Sequence, residues 1–423
     1  MLMDNMVLRY QLCSKDVPLV DFSYSITAEF IEGVTSISYD IKIDRIYYSN
    51  IGLFPKNLNG VNENSLFEWI KNRKVPKNRL FVDKIIGAIQ ENGNPFKYVD
   101  VTFALSVNDA YWINNRDFPR KWKDVNLYAH PFDDILSYVA FTGHSRKVSG
   151  VKTSPELTTN GMQRKSWTNR NDNIYLMKAA TDFLDRGNRS DVYSEFYAAQ
   201  VAEAMGFDHV PYDLEFFTHK DGQKELVSLC PAFTSENVGF IPVYHLLDFS
   251  INTLSDYSTE LKIGEVFGKE AFEDMMLFDS IIINTDRHLS NFGLLFNTNN
   301  NEIIGPAPLF DHGMSLMAGA ANGDFKDMDN YISVTNNPFD ISFDEMMYRF
   351  VQKRHLPKLR HLKGFKFVPY NNLSADNDYL KKITVLIQNQ AEKAISMYEK
   401  KKKLISDRAK KNEKIHLTTN NSR

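Results

Sequence analysis

The residues with the clearest chemical potential lie in one short stretch, where an aspartate, an asparagine and a second aspartate follow at fixed spacing. Asn291 comes five residues after Asp286, and Asp311 comes twenty residues after Asn291. Carboxylate and amide oxygens are ligands for Mg²⁺, and a carboxylate can accept the proton of a hydroxyl group. Because phosphoryl transfer needs a base and charge-neutralising cations, the stretch predicts Asp286 as the base and the other two residues as metal ligands.

Predicted elements on either side would bring these residues together. A largely apolar helical face over 271–283 ends just before Asp286 and delivers it onto a loop. Two short strands within 292–304, joined by a turn-rich segment, would return Asp311 towards Asn291. Aspartate and asparagine also form turns for backbone reasons alone, so each residue taken singly has a structural interpretation as well.

The same residues resemble the active site of a known family. The pattern Asp-Arg-His-x-x-Asn that begins at Asp286, followed by Asp-x-Gly at Asp311, resembles the HipA-like serine/threonine kinases, a bacterial family distantly related to the phosphatidylinositol kinases. The order Asp-Arg-His reverses that of ordinary protein kinases. The resemblance implies ATP and Mg²⁺ as cofactors, Asn291 and Asp311 as metal ligands, and Asp286 with His288 as catalytic-loop residues. We expect His288 to stabilise the loop by hydrogen bonding.

A candidate nucleotide-binding segment lies upstream of the catalytic pattern. A polar loop over 158–165 precedes a predicted strand over 173–178 that ends in lysine. Gly161 would let the loop backbone approach phosphates closely, and Lys178 could reach them. The alternative interpretation is an ordinary polar hairpin followed by a surface lysine.

The family resemblance extends to this loop. Gly161, Gln163 and Lys165 match the family's nucleotide loop, in which a serine stands at the position of Thr158. In that family the loop serine can be autophosphorylated, which ejects the loop and switches the kinase off. The resemblance therefore implies Thr158 as the autophosphorylation site, although threonine departs from the family pattern.

Two further positions complete the predicted nucleotide site. Glu195 stands in the first turn of a predicted helix, where it could pair with Lys178 as the helix glutamate and strand lysine do in kinases. Glu203 is the competing partner, and the helix dipole alone also favours an acid in a first turn. Residues 226–231 would form a hinge, where backbone groups around Cys230 read adenine.

The length of the chain and its sequence patterns predict the domains in which these sites lie. With 423 residues the chain is too long for one ordinary core. We expect an N-terminal α/β subdomain at 1–125, a small lobe with the nucleotide loop and hinge at 126–240, and a helical large lobe with the catalytic loop at 241–423. The predicted fold class is α+β, a two-lobed protein-kinase-like fold with an additional N-terminal subdomain.

Local patterns give more detailed expectations for individual elements. Strands are predicted at 7–13, 37–46, 99–107, 173–178, 214–217 and 225–230. Capping boxes are predicted at Ser65 with Glu68 and at Ser342 with Glu345, each opening a helix. Basic clusters at 73–84 and 400–414 could contact an acidic partner or nucleic acid. The alternative is a solvated helix face for the first cluster and a solvated helix end or disordered terminus for the second.

Charge and cysteine content indicate which partners and which cellular compartment to expect. A net charge of −3 gives no general attraction to nucleic acid or membranes, which argues against direct nucleic-acid binding. No apolar run approaches the ~18 residues of a spanning helix, and the first residues lack a signal peptide's basic and apolar regions. Cys13 and Cys230 are far apart and lack metal-ligand spacing, so we expect reduced thiols and a cytoplasmic protein.

Three functional classes remain open at this point. The resemblance implies a serine/threonine protein kinase, and many family members are toxins held in check by a small DNA-binding antitoxin. Some members phosphorylate components of translation, which makes such a protein the expected substrate. A lipid or small-molecule phosphotransferase could use the same base and metal ligands. A nucleotide-binding adaptor without catalysis could carry the same residues.

Overall fold

The computed structural model describes residues 6–31, 34–74, 95–130, 132, 134–142, 154–155, 163–171, 173–181, 191–247, 254, 256–321, 323–370 and 377–420. The chain divides into two compact units, each assembled from separate stretches of sequence. The first unit comprises Met1–Ala179, Glu215–Leu246 and Gly293–Ala307, and the second comprises Ala180–Leu214, Leu247–Phe292 and Pro308–Arg423. The first unit therefore joins sequence from the expected N-terminal subdomain and small lobe, while the division at residues 125 and 240 stays a prediction.

The strands of the described residues form sheets with the orders β3-β2-β1-β4, β5-β6-β8-β7 and β11-β10-β9. Their bounds are β1 Met6–Ser14, β2 Val17–Ile31, β3 Val34–Ile46, β4 Tyr111–Asn115, β5 Lys165–Arg170, β6 Asn173–Ala179, β7 Asp213–Thr218, β8 Lys224–Pro231, β9 Val238–Pro242, β10 Gly293–Asn297 and β11 Ile303–Pro306. The strands predicted at 7–13, 37–46, 173–178, 214–217 and 225–230, and the hairpin within 292–304, are confirmed.

Alternation of side chains explains the N-terminal sheet. β1 pairs antiparallel with β2 on one side and with β4 on the other. Tyr10 and Phe22 stand opposite each other in this register, and their rings stack with centroids 5.7 Å apart. Both are buried with their alternate neighbours Leu12 and Tyr24, so one face of the sheet forms a core.

A shared hydrophobic cluster explains why the first unit extends beyond the N-terminal sheet. Trp112 of β4 packs in one buried cluster with Trp122 and with Ile174 of β6. A second cluster joins Phe141 to Met177 of β6 and Val227 of β8. Strand β6 therefore contributes apolar side chains to both cores, which joins the two sheets into one unit.

The helices of the described residues have the following bounds: α1 Glu63–Lys71, α2 Pro95–Thr102, α3 Trp122–Val125, α4 Asp134–Thr142, α5 Asp191–Ala204, α6 Tyr257–Phe267, α7 Lys269–Ile282, α8 Met328–Val334, α9 Phe343–Phe350, α10 Leu356–Leu362 and α11 Asn377–Asn420. Short 3₁₀ helices occupy Tyr48–Leu53, Val243–His245, Asp324–Lys326 and Lys353–His355. None of the helices in the described ranges is long and apolar enough to cross a membrane.

Helix α7 is the centre of the second unit. Its residues Met275, Met276, Leu277, Phe278 and Ile281 are all fully buried, although they point in every direction around the helix axis. A helix that is apolar all round must be covered on all sides, and α6, α9 and α11 pack against it. The helix predicted over 271–283 is confirmed, and its C-terminus leads into the loop that carries Asp286.

Two local predictions in the N-terminal third were wrong. Residues 99–107 do not form a strand, because Val99 lies in α2 and the helix ends at Phe103 and Ala104 with φ of 51° at each. Buried Tyr98, Val99 and Thr102 fit helical spacing as well as the alternation that suggested a strand. At α1 the N-cap is Asn62, whose side chain accepts from the Ser65 N–H group, so Ser65 is the third helical residue.

The N-cap predicted for the helix after residue 342 is confirmed. The Ser342 side chain accepts a hydrogen bond from the Glu345 N–H group and opens α9.

In the first basic cluster, Arg73 is a structural residue rather than a free surface charge. Its guanidinium forms a bidentate ion pair with Asp109 at 2.8 and 2.9 Å. The cluster residues from 75 to 84 lie outside the described ranges.

Candidate phosphoryl-transfer site

The loop that carries Asp286 starts at a sharp turn at the end of α7. Ile283 adopts φ of 55°, a left-handed conformation that is rare for a β-branched residue. The N–H groups of Ile283 and Asn284 both donate to the Asp279 carbonyl, which ends the helix. The Asn284 side chain then accepts from the Asp286 N–H group at 3.1 Å. The turn places Asp286 at an exposed position.

Hydrogen bonds inside the loop bring Asn291 back to Asp286. The Asp286 carbonyl accepts from the His288 N–H group and from Asn291 Nδ2, both at 2.9 Å. The His288 carbonyl accepts from the Asn291 N–H group, and His288 Nδ1 accepts from the Ser290 N–H group. His288 is exposed, and these contacts fit the loop-stabilising role that we predicted for it.

Arg287 connects this loop to the segment that carries Asp311. Its side chain is 1% exposed, and its Nε and Nη2 donate to the Asp279 carboxylate at 2.8 and 3.1 Å. Its Nη1 donates to the carbonyls of Asn291 and Phe310, both at 2.8 Å. One nitrogen therefore joins the backbone of one candidate metal ligand to the residue that precedes the other.

The ion pair keeps Arg287 charged although it is buried. Burial alone would lower the pKa of its guanidinium, but the adjacent Asp279 carboxylate and the more distant charge of Asp311 raise it above its ordinary value. The fifth donor, on Nη2, reaches His312 Nδ1 at 3.0 Å. Five donors thus meet five acceptors, so the arginine is fully satisfied.

Backbone contacts hold the Asp311 segment against the end of α7. The Met314 carbonyl accepts from both the N–H group and the hydroxyl of Thr285, and the Leu316 N–H group donates to the Ile282 carbonyl at 2.7 Å. Asp311 itself is half-buried and has φ of 61°. The structure therefore brings together the segments of all three residues that the sequence proposed as base and metal ligands.

Gly313 marks a close approach between this segment and helix α5. A Cβ atom on Gly313 would lie 3.2 Å from Asp191 Cβ and 3.4 Å from Glu195 Oε1. Glu195 is buried, so the first turn of α5 packs directly on the Asp-x-Gly segment. Asp191 is in turn held by the hydroxyl of Thr181, which donates to it at 2.6 Å.

The described part of the nucleotide segment lies in the first unit. Lys165 of β5 pairs with Lys178 of β6, and Leu176 of β6 pairs with Cys230 of β8. Lys178 and Cys230 are both buried. The strand predicted to end at Lys178 is therefore confirmed. The alternative interpretation of Lys178 as a surface lysine is wrong, because the residue is buried. Because Glu195 belongs to the second unit, its pairing with Lys178 stays a prediction.

The entrance to β5 is fixed next to the predicted loop. The Ala179 N–H group donates to the Arg164 carbonyl at 2.9 Å, and the Arg164 guanidinium forms an ion pair with Glu225. Gln163 directly precedes this anchor. Thr158 and Gly161 lie outside the described residues, so their predicted roles in phosphate binding and autophosphorylation stay predictions.

The donor set in the second unit fits Mg²⁺ bound together with a nucleotide. Within the described ranges, no group of three or more His, Cys, Asp or Glu side chains could hold a metal ion. Mg²⁺ in phosphoryl-transfer enzymes is commonly held by one or two protein ligands plus phosphates and water. The hydrogen bond from Asn291 Nδ2 to the Asp286 carbonyl orients the side-chain amide. The amide oxygen, which is the atom that could bind Mg²⁺, therefore points away from that carbonyl.

Several residues of the site were not predicted from the sequence. Asp279 was predicted only as part of the helical face, and Arg287 only as part of the family pattern. No role was predicted for His312 or Tyr212. Tyr212 accepts the Asp311 N–H group on its hydroxyl at 3.0 Å. The one available signal was a charged residue, Asp279, on an otherwise apolar helical face, because a buried carboxylate requires a partner.

These elements define a mixed α/β fold of the kinase-like class, as the comparison with solved structures shows. No protein-family model matches the chain, and no curated protein does. A chain of the Shewanella oneidensis MR-1 toxin–antitoxin complex of HipA, HipB and operator DNA matches over 92% of this chain and 98% of its own length. The TM-score is 0.53 and the identity is 11%.

The Helicobacter pylori proinflammatory kinase CtkA is also similar. It matches 57% of this chain and 95% of its own length, with a TM-score of 0.43 and 17% identity. The HipA likeness, which spans almost the whole of both chains, confirms the predicted fold class.

Proposed function

We propose that this chain is an ATP- and Mg²⁺-dependent serine/threonine protein kinase of the HipA-like type. The observation that carries the proposal is the buried Arg287, whose one Nη1 atom bonds the carbonyls of Asn291 and Phe310. This contact brings the Asn291 loop and the Asp311 segment to one point, next to the exposed Asp286. The HipA-like fold of the chain supports the same proposal.

Each residue has a defined task in this proposal. Asp286 accepts or orients the proton of the acceptor hydroxyl, which suits an exposed carboxylate. Asn291 and Asp311 would hold Mg²⁺ through oxygen atoms, and the ion would supply positive charge next to the phosphates. In the nucleotide segment, Lys178 contacts the phosphates and backbone groups near Cys230 read adenine.

The test is intact-mass measurement and phosphosite mapping after incubation with ATP and Mg²⁺. Asp286→Asn and Asp311→Asn keep side-chain shape while removing a base and a metal ligand, so each should reduce phosphate transfer at least about a hundredfold. Asp329→Asn is the matched control, because Asp329 is an exposed aspartate of α8. It should transfer phosphate like the parent.

The outcomes distinguish the remaining classes. Transfer to a lipid or a soluble acceptor instead of protein would favour the phosphotransferase alternative. Nucleotide binding without transfer under any divalent metal would favour a non-catalytic adaptor. Undiminished transfer by Asp286→Asn would show that the base lies elsewhere. A mapped site at Thr158 would support regulation by autophosphorylation.

The proposal also includes a biological role for the kinase. The HipA chain was solved in a complex with HipB and operator DNA. By analogy, we propose that this chain is a toxin that phosphorylates a component of translation and binds a small DNA-binding antitoxin. Induced expression of the parent should arrest growth, whereas Asp286→Asn should not. Unchanged growth with active parent protein would exclude the toxin role.

A further inference from the structure

Asp311 adopts a backbone conformation that needs support. Its φ of 61° lies in the left-handed region, which non-glycine residues occupy at some cost in free energy. Asp311 is also only half-exposed, so its N–H group requires a hydrogen-bond acceptor. The direction of the Asp311 carboxylate follows from this backbone conformation.

Tyr212 supplies that acceptor. Its hydroxyl oxygen accepts from the Asp311 N–H group at 3.0 Å, and the side chain is buried. Its ring meets the next residue, His312, edge-on, with centroids 6.3 Å apart. A single side chain thus contacts two consecutive residues of the Asp311 segment.

The backbone before Tyr212 runs alongside the same segment. The Val210 N–H group donates to the Leu309 carbonyl, and the Leu309 N–H group donates to the Asp208 carbonyl, both at 2.9 Å. His209 and Leu309 form a parallel bridge. Two backbone bonds therefore hold the backbone that leads to Tyr212 beside the backbone that leads to Asp311.

We infer that Tyr212 is a positioning residue for Asp311, holding its backbone so that the carboxylate meets the metal ion. This inference rests on the proposed function, because it takes Asp311 as a metal ligand. The Tyr212 hydroxyl bonds the backbone of that ligand, so we assign it a role that acts through Asp311. Loss of the hydroxyl leaves the Asp311 N–H group without this acceptor and removes the bond that favours the left-handed conformation.

The test is Tyr212→Phe, which keeps the ring and removes only the hydroxyl. The readout is Mn²⁺ binding in the presence of a non-hydrolysable ATP analogue, followed by the electron paramagnetic resonance signal of free Mn²⁺. We expect the dissociation constant for Mn²⁺ to rise about tenfold, the effect of one hydrogen bond. Nucleotide affinity without metal should stay unchanged.

Tyr379→Phe is the matched control. Tyr379 is a buried tyrosine of the second unit whose hydroxyl donates to the Leu316 carbonyl at 3.0 Å. Its loss should lower the melting temperature to a similar degree as Tyr212→Phe without weakening Mn²⁺ binding. A loss of stability alone would then not explain the result for Tyr212. The Mn²⁺-dependent rise in melting temperature gives a second readout on the folded fraction of each variant.

The outcomes separate this inference from the proposed function. If the parent binds Mn²⁺ with the nucleotide analogue and Tyr212→Phe binds it equally well, the inference is overturned and the proposed function stands. If Tyr379→Phe weakens Mn²⁺ binding as much, the effect is general and the inference is again overturned. If the parent shows no nucleotide-dependent Mn²⁺ binding, the proposed function fails and the inference fails with it.

Discussion

Arg287 shows how one buried residue can organise a loop. Its five donors reach the Asp279 carboxylate, two backbone carbonyls and a histidine nitrogen. A guanidinium suits this task because it is planar, always charged and able to donate in several directions at once. Lysine has three donors on one atom and cannot reproduce the arrangement.

Arg287→Lys is therefore expected to be strongly destabilising. The substitution leaves Asp279 with an incomplete ion pair in a buried position, which typically costs about 3–5 kcal/mol in the free energy of unfolding. Urea denaturation of parent and variant measures this difference. Arg9→Lys is the control, because the ion pair between Arg9 and Asp117 is largely exposed and should contribute less than about 1 kcal/mol. Equal effects of the two substitutions would contradict the prediction.

The residue types of the site could be predicted where they are close in sequence, and not where burial pairs distant positions. Asp286, Asn291 and Asp311 stood out because their types and spacing suit one reaction. The role of Asp279 was missed, because nothing in a local pattern shows that a helical aspartate faces an arginine eight residues later. The Tyr212 contact spans 99 residues, so no spacing rule could have found it.

Among the elements, β9 and β10 approach unusually closely. A Cβ atom on Gly293 would lie 2.1 Å from the Ile241 carbonyl oxygen, in the pairing of β10 with β9. Gly293→Ala must push these strands apart, so we expect a loss of at least about 1–3 kcal/mol in the free energy of unfolding. Thermal melting checks this. Gly52→Ala is the control, because nothing lies within 4 Å of the added atom; a larger effect at Gly52 would refute the argument.

A second inter-element contact links α7 to the residues before α10 and should depend on pH. The Asp274 carboxylate accepts from His355 Nε2 at 2.7 Å and from the Arg354 guanidinium. Burial would raise the pKa of Asp274, but these hydrogen bonds and the charge of Arg354 lower it below its ordinary value. The contact therefore stabilises the fold above the unfolded pKa of about 4, and this contribution is lost as pH falls below that value.

Asp274→Asn should remove this pH-dependent contribution. We expect the unfolding free energy of the parent to fall more steeply than that of the variant as pH falls below about 4, because only the parent has a carboxylate at position 274 to protonate. Urea denaturation at closely spaced pH values measures the two slopes. Asp340→Asn, at an exposed aspartate of the same unit, should keep the parent's slope. Parallel curves for parent and Asp274→Asn would rule out this source of acid sensitivity.

Elements were predictable where one periodicity dominates. Strands β1 and β3 of the N-terminal sheet were predicted, whereas β2 and β4 were not. Helix α7 has buried apolar residues on all sides of its C-terminal half. The strand predicted at 99–107 was wrong because the segment fits two spacings. Val99, Val101 and Phe103 occupy every second position, as in a strand, but Tyr98, Val99 and Thr102 have helical spacing and are buried on one side of α2. Two left-handed residues, Phe103 and Ala104, end that helix, and no common helix-ending residue marks them in the sequence.

At the scale of the whole molecule, neither unit is continuous in sequence. The chain passes from one unit to the other after residues 179, 214, 246, 292 and 307. Strand β9 ends at Pro242, but its sheet partners β10 and β11 lie within Gly293–Ala307. The first unit therefore needs residues that come roughly fifty positions after β9 in the sequence.

This discontinuity predicts the behaviour of fragments. A fragment of residues 1–246 lacks the partners of β9 and exposes Phe240 and Ile241, which are buried in the full chain. It should bind the dye ANS and melt without a sharp transition. Joining residues 293–307 to it through a flexible linker should restore cooperative melting and reduce dye binding. Equal melting with and without this segment would show that β9 does not need β10.

The position of α5 in the sequence also has a consequence for synthesis. This helix ends at Ala204, but Gly313, against which its first turn packs, is made roughly a hundred residues later. At the usual translation rates of about 5–20 residues per second, the interval is on the order of 5–20 s. During that time the first turn of α5 lacks its contact with Gly313. A chaperone that binds nascent apolar helices would therefore have several seconds in which to bind α5 before Gly313 is made.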